Sequence, residues 1–395
     1  MVTTPARDVD AQSSRPGVRM LDGVAGPPPL DLSYASLRKR FADELRPRKS
    51  IYWPDMLASM LVGWSSFALA LRYQSQPLVT VAFSVVSVFA LYRAVLFIHE
   101  ITHLKRGTVP GFETAWNITV GVPLMAPSML YVGSHNDHHR RAVFGTATDP
   151  EYEPIGHWTP WRVAASGLPM LIVPAVLAFR WAVLGPISYL IPPLRRIVVE
   201  RASALVINPR YRRKPPQGPA LLRWALQEAA TAAYVWAVLL AVWRGYIPVS
   251  WMVQLYLITA TILLVNHVRT LAAHRYIHLG EELSREGQLL DSVNLVSESL
   301  WTKLVAPVGL RYHALHHVLP GLPYHSLGAV HRALCQELPR ESSYHRVSVS
   351  GVGEGLRNLM REARSNSRRA VAAGRPPSDS PPNQTTLRAG THHAA

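Results

Sequence analysis

Residues 78–103 read LVTVAFSVVSVFALYRAVLFIHEITH. From Leu78 to Ile98 only Arg93 is charged, and a hydrocarbon core needs about 20 such residues in helical form. The run ends on His99 and His103, four apart, which places two imidazoles on one helix face where the helix leaves the membrane. Upstream, Met56 to Arg72 is a second apolar segment, joined to the first by the short polar turn Tyr73-Gln74-Ser75-Gln76-Pro77. The two segments therefore make a hairpin that returns to its starting side.

Further along, Ala229 to Trp243 and Pro248 to Val265 repeat the pattern around Arg244-Gly245-Tyr246-Ile247; the first of these is short for a span unless it starts near Leu221. Trp236, Trp243, Tyr246 and Trp251 fit an aromatic belt at that turn. Trp116 to Tyr131 is too short to span, and Val163 to Pro193 is broken by prolines; irregular backbone at membrane depth must be satisfied by protein or water. The first reads as interfacial, the second as a re-entrant hairpin or an interfacial pair. The expected fold is an all-α integral membrane protein, with about four transmembrane helices in two hairpins, interfacial helices, and a cytoplasmic helical domain holding the metal site. Residues 1–35 read as a disordered leader, 36–345 as the membrane domain, and 346–395 as a mostly disordered tail.

The formal charge of +16 invites a nucleic-acid reading, but the basic residues flank the apolar blocks, as at Arg38 to Lys49, Lys105 and Arg106, and Arg210 to Lys214. That is the positive-inside pattern of cytoplasmic loops, not a phosphate-binding face. A single cysteine, Cys335, excludes an intramolecular disulfide and any all-cysteine metal site in one chain. A metal must be held by other ligands.

Histidine supplies them. Of seventeen histidines, eight fall in three clusters: His99 and His103; His135, His138 and His139; His313, His316 and His317. The last two share the spacing HxxHH, which puts two rings on one helix face and a third beside them. One structural histidine near a membrane surface needs no special account, but three such clusters do, because ionisable groups at the membrane boundary are costly without a function. One tetrahedral zinc takes about four ligands, whereas this number is enough for two redox metals with positions left open. The hairpins allow all three clusters to meet on one side, the cytoplasmic one.

These boxes, in this order and at these intervals over roughly residues 50–340, resemble the membrane fatty acid desaturases and their hydroxylase and ketolase relatives. The resemblance implies two irons (Fe2+/Fe3+) held by histidine, O2 as co-substrate, a fatty acyl or related lipid substrate in the bilayer, and electrons from an external donor such as ferredoxin or a reductase. It also implies a ninth ligand after the last membrane helix, for which His274 is the choice and His278 the rival, with Asn266 in a water-mediated or outer position. The expected reaction is introduction of a double bond into an acyl chain; alternatives are lipid hydroxylation, carotenoid ketolation, a membrane zinc hydrolase and a metal-binding scaffold. Glu100 and Asp137, inside the boxes, could orient a ligand ring but read first as solvated or salt-bridged carboxylates, and Asp149, Glu151 and Glu153 read as an acidic surface loop, with contact to a ligand ring as the lesser alternative. The sequence has no His-Pro-Gly-Gly motif, cysteine cluster or GxGxxG signature, so the chain carries no recognisable electron-transfer module of its own.

Overall fold

The computed structural model describes residues 33–372. Four helices are long and apolar enough to cross a membrane: Lys49–Arg72, Pro77–His103, Pro219–Trp243 and Val249–Ala273. They form the two expected hairpins. The first turns at Tyr73, whose carbonyl accepts from Gln76 N at 2.8 Å and Thr80 Oγ1 at 2.7 Å; Pro77 then opens the second helix at a position that needs no donor. Gly63 allows the two helices to touch, since a Cβ there would lie 2.6 Å from Leu91 Cδ2. Arg93 is paired with Asp55 by two hydrogen bonds of 2.9 and 2.5 Å, which offsets its charge within the span.

Both helices of the second hairpin are longer than their apolar blocks. The third span starts at Pro219, ten residues before Ala229, because Glu228 is neutralised by Arg180 and Arg195 and no longer interrupts it. The fourth continues past Val265 to Ala273. Trp243 and Tyr246 are about three-quarters exposed at the hairpin turn, where an aromatic belt is expected. Between the hairpins, Pro160–Leu171 and Val173–Ser188 form a pair bent by 41°, a broken span or a re-entrant loop. Residues 117–121 run through a wide helical turn that leads to Ser128–Leu130. Asn117 fastens this segment, donating to Ser128 Oγ at 2.9 Å and accepting from Ser128 N at 2.8 Å.

Beyond the fourth span, short helices at Arg285–Asp291, Leu300–Val305, His313–Val318 and Tyr324–Glu337 close over the end of the membrane bundle. A two-residue parallel strand pair, Asn294–Leu295 with Ser348–Val349, joins this layer. The reading of 346–395 as mostly disordered is corrected over Val352–Ala372, which is one helix. Val352, Gly355, Leu359 and Ala363 are buried in it, and that helical spacing outweighs an arginine- and serine-rich composition. Most of the 1–35 leader, and everything after residue 372, lie outside the described residues.

Candidate metal centre

The last turn of the second span delivers His99 and His103. The short helix Val132–His138 carries His135 and His138 and is followed by His139, and His313–Val318 carries His313, His316 and His317. His274 ends the fourth span in an extended conformation, φ −136° and ψ 160°, and so turns inward instead of continuing the helix. All nine come together and divide into two groups. His99, His103, His135, His139 and His316 form one; His138, His274, His313 and His317 form the other, and within each group the ligand atoms lie within 4.8 Å of one another.

The HxxHH spacing explains the division. In each box the i and i+4 rings serve one group and the i+3 ring, rotated around the helix, serves the other. His135 and His139 thus join the first group and His138 the second, while His313 and His317 join the second and His316 the first.

The Nε2 atoms converge closely. His139 lies 3.0 Å from His135 and 3.0 Å from His316, and His313 lies 2.9 Å from His274 and 3.1 Å from His317. Nitrogens bound to one metal at about 2.1 Å are about 3.0 Å apart at right angles and about 3.4 Å apart in a tetrahedron. The observed spacing is close enough for the nitrogens of each group to share one ion. Among the described residues, no hydrogen-bond partner reaches the buried ring nitrogens of His99 or the Nε2 of His103, a costly arrangement that a bound metal would relieve. Burial holds the imidazoles of His135, His139, His313, His316 and His317 well below their ordinary pKa. They are neutral at pH 7 and their lone pairs are free for a cation.

A ring of carboxylates sets which nitrogen faces inward. His135 Nδ1 lies 2.7 Å from Glu151 Oε1, His138 Nδ1 2.8 Å from Asp149 Oδ1, and His274 Nδ1 3.2 Å from Asp291 Oδ2. Each Nδ1–H donates outward and leaves Nε2 as the ligand atom. At His138 burial lowers the pKa, but Asp149, Glu151 and Asp291 outweigh it and the net direction is upward. Burial pushes the Glu151 carboxyl up to about 7.

One expectation changes here. Asp149 and Glu153 are buried, and Glu151 is half-buried, so this is not a surface loop. Gly145, at φ +74°, bends the chain back so that its own N–H donates to Asp149 Oδ2 at 2.8 Å. Conversely, Glu100 accepts from Tyr52 OH and Tyr324 N, and Asp137 from Tyr211 OH and Arg140; neither makes a hydrogen bond to a histidine of the two groups. Asp291 was not singled out in the sequence, because no spacing rule links it to His274. Asn266 Oδ1 accepts from Arg269 Nη2 at 3.0 Å, and among the described residues no hydrogen bond joins it to an imidazole. His278 pairs with Glu281 at 3.1 Å outside both groups.

Asp149 uses both oxygens as acceptors, from His138 Nδ1, Gly145 N and Glu151 N. Asp149→Asn sets an NH2 against one of these donors and is expected to weaken metal retention by roughly 10- to 100-fold. Competition with a chelator measures this, and unchanged retention would contradict the role given to Asp149.

Comparison with known proteins agrees with this geometry. A family model described as fatty acid desaturase matches residues 75–348, a stretch that contains all nine histidines. A ceramide hydroxylase of Caulobacter vibrioides is 41% identical over 322 residues, which is 82% of this chain and 91% of the relative. No solved structure matches. A membrane hairpin pair carrying HxxxH and two HxxHH boxes, with a family match over most of the chain, places this protein in the fatty acid desaturase family.

Proposed function

We propose that this chain is an oxygen-dependent di-iron lipid hydroxylase acting on a ceramide-type lipid. The observation that carries the proposal is the 41% identity, over nearly the whole of its length, to a ceramide hydroxylase. Introduction of a double bond, the first expectation from sequence, becomes the second reading, since both reactions use the same ligands. The nine clustered histidines are the proposed iron ligands, five to one ion and four to the other.

Bound there, two irons would supply the reductive activation of dioxygen. The chain's own residues do the rest. Asp149, Glu151 and Asp291 hold the Nδ1 protons of three ligand rings and thereby fix ring orientation. Phe144, fully buried, lies 5.1 Å from the rings of both His138 and His317 and excludes water from that side. A cavity of about 820 Å³ opens onto His139 and His317, one ring from each group, and its walls mix polar residues such as Arg141, Gln288 and Ser343 with apolar ones such as Leu289, Val318 and Leu338. It gives a polar headgroup access to the centre while the spans keep the apolar chains in the bilayer. Arg38 to Lys49 and Lys105 lie at the histidine end of the first hairpin, which supports the reading of that end as cytoplasmic. The electron donor is proposed to be a separate protein.

Turnover of ceramide under 18O2 tests the reaction. Hydroxylation puts one labelled oxygen into the lipid. A product that has lost two hydrogens and carries no label would move the assignment to desaturation, and lipid cleavage without oxygen consumption would move it to a hydrolase.

A further inference from the structure

The hydroxylase reading needs two electrons per turnover from outside the chain, and the C-terminal helix Val352–Ala372 has the features of their entry point. This helix carries five arginines against two glutamates. Its buried side is Val352, Gly355, Leu359 and Ala363. On the opposite side Arg357, Arg361, Arg364 and Arg368 follow one another at helical spacing, all exposed. Among the described residues none of the four is ion-paired to a carboxylate. Arg361 Nη2 donates to Asn358 Oδ1 at 2.7 Å; a stripe of like charge that no carboxylate ion-pairs costs self-repulsion and is a surface suited to an oppositely charged protein.

What lies beneath the helix gives the stripe its direction. Leu359 and Ala363 pack into one apolar cluster with Phe144, Tyr152 and Tyr276. Phe144 is 5.1 Å from His138 and 5.7 Å from His274, and Tyr276 is 5.3 Å from His274, between ring centroids. Phe144 and Tyr276 thus belong both to the cluster that seats the arginine helix and to the surroundings of the second histidine group. We propose that the stripe Arg357–Arg361–Arg364–Arg368 docks an acidic one-electron carrier of the ferredoxin class, and that its electrons reach the His138, His274, His313 and His317 group across Phe144 and Tyr276. This rests on the hydroxylase reading. Two reduced carriers each lose one electron; with two protons and O2 the lipid C–H becomes C–OH, the second oxygen leaves as water, and the carriers are oxidised.

The test uses the full-length, iron-loaded enzyme in detergent with an acidic [2Fe–2S] ferredoxin kept reduced by its reductase. Charge reversal of the stripe, R361E/R364E/R368E, should weaken ferredoxin binding and slow ferredoxin-driven turnover by on the order of 100-fold, with wild-type binding itself weakened by salt. The milder R361Q/R364Q/R368Q should give a smaller loss of the same kind and guards against a folding defect in the first. A single turnover, in enzyme reduced anaerobically with dithionite, freed of excess reductant and then given O2, should be the same in all three proteins. Unchanged ferredoxin binding in both variants overturns the docking surface while leaving the hydroxylase reading in place. A loss reproduced by replacing anionic with neutral lipid in nanodiscs, at unchanged ferredoxin affinity, also overturns it and makes the stripe a membrane contact. Absence of lipid oxidation in the wild type when the pre-reduced, dithionite-free enzyme is given O2 overturns the hydroxylase reading, and the docking proposal with it.

Discussion

His316→Ala lowers lipid oxidation by more than the roughly 100-fold typical of losing a ligand's outer partner, and it empties the first histidine group in preference to the second. His316 is the one residue of the third box that reaches this group, with its Nε2 3.0 Å from that of His139. It is buried. His278→Ala, outside both groups, is the control and should retain both metal and turnover. Equal metal loss and equal activity in the two variants would remove the basis for dividing the histidines as the structure does.

The second large effect is on stability, and it lies between the bent pair and the third span. Glu228 accepts from Arg180 Nη2 at 2.5 Å, Arg195 Nη1 and Nη2 at 3.1 and 2.6 Å, and Tyr189 OH at 2.7 Å. Arg180 is 3% exposed. Glu228→Ala leaves two guanidinium groups without their counter-charge, one of them deeply buried, a change that costs roughly 3–5 kcal/mol. Thermal unfolding in detergent should show a marked drop in midpoint. None of these residues belongs to either histidine group, so variant purified in the cold should keep its metal. An unchanged midpoint would show that the buried ion pairs do not hold the bent pair against the third span.

The parts of this architecture legible in sequence were those written in local spacing. The hairpins follow from uncharged runs of spanning length, and the three boxes follow from imidazoles at successive helical turns. The allocation of each box to both groups was not legible, because it depends on how three short helices face one another. Asp149 is fixed eleven residues beyond His138 by a left-handed glycine at 145, and an acid-rich loop reads locally as solvent-exposed. Asp291 reaches His274 only because Arg285–Asp291 folds back under the end of the fourth span. Charge misled at two places for related reasons. Glu228 made the third span look short, and Arg361 to Arg369 made the C-terminal helix look unstructured. In the first case a tertiary ion pair absorbs the charge, and in the second the charges project away from a buried stripe.

The central claim is a pair of metals shared among nine histidines, and metal analysis of the detergent-purified protein beside a His138→Ala/His316→Ala double variant tests it most directly. The account predicts about two irons per wild-type chain, as two such imidazole groups require, with both lost or severely depleted in the variant. One zinc per chain, or no metal above background after iron-replete, chelator-free purification, would contradict it.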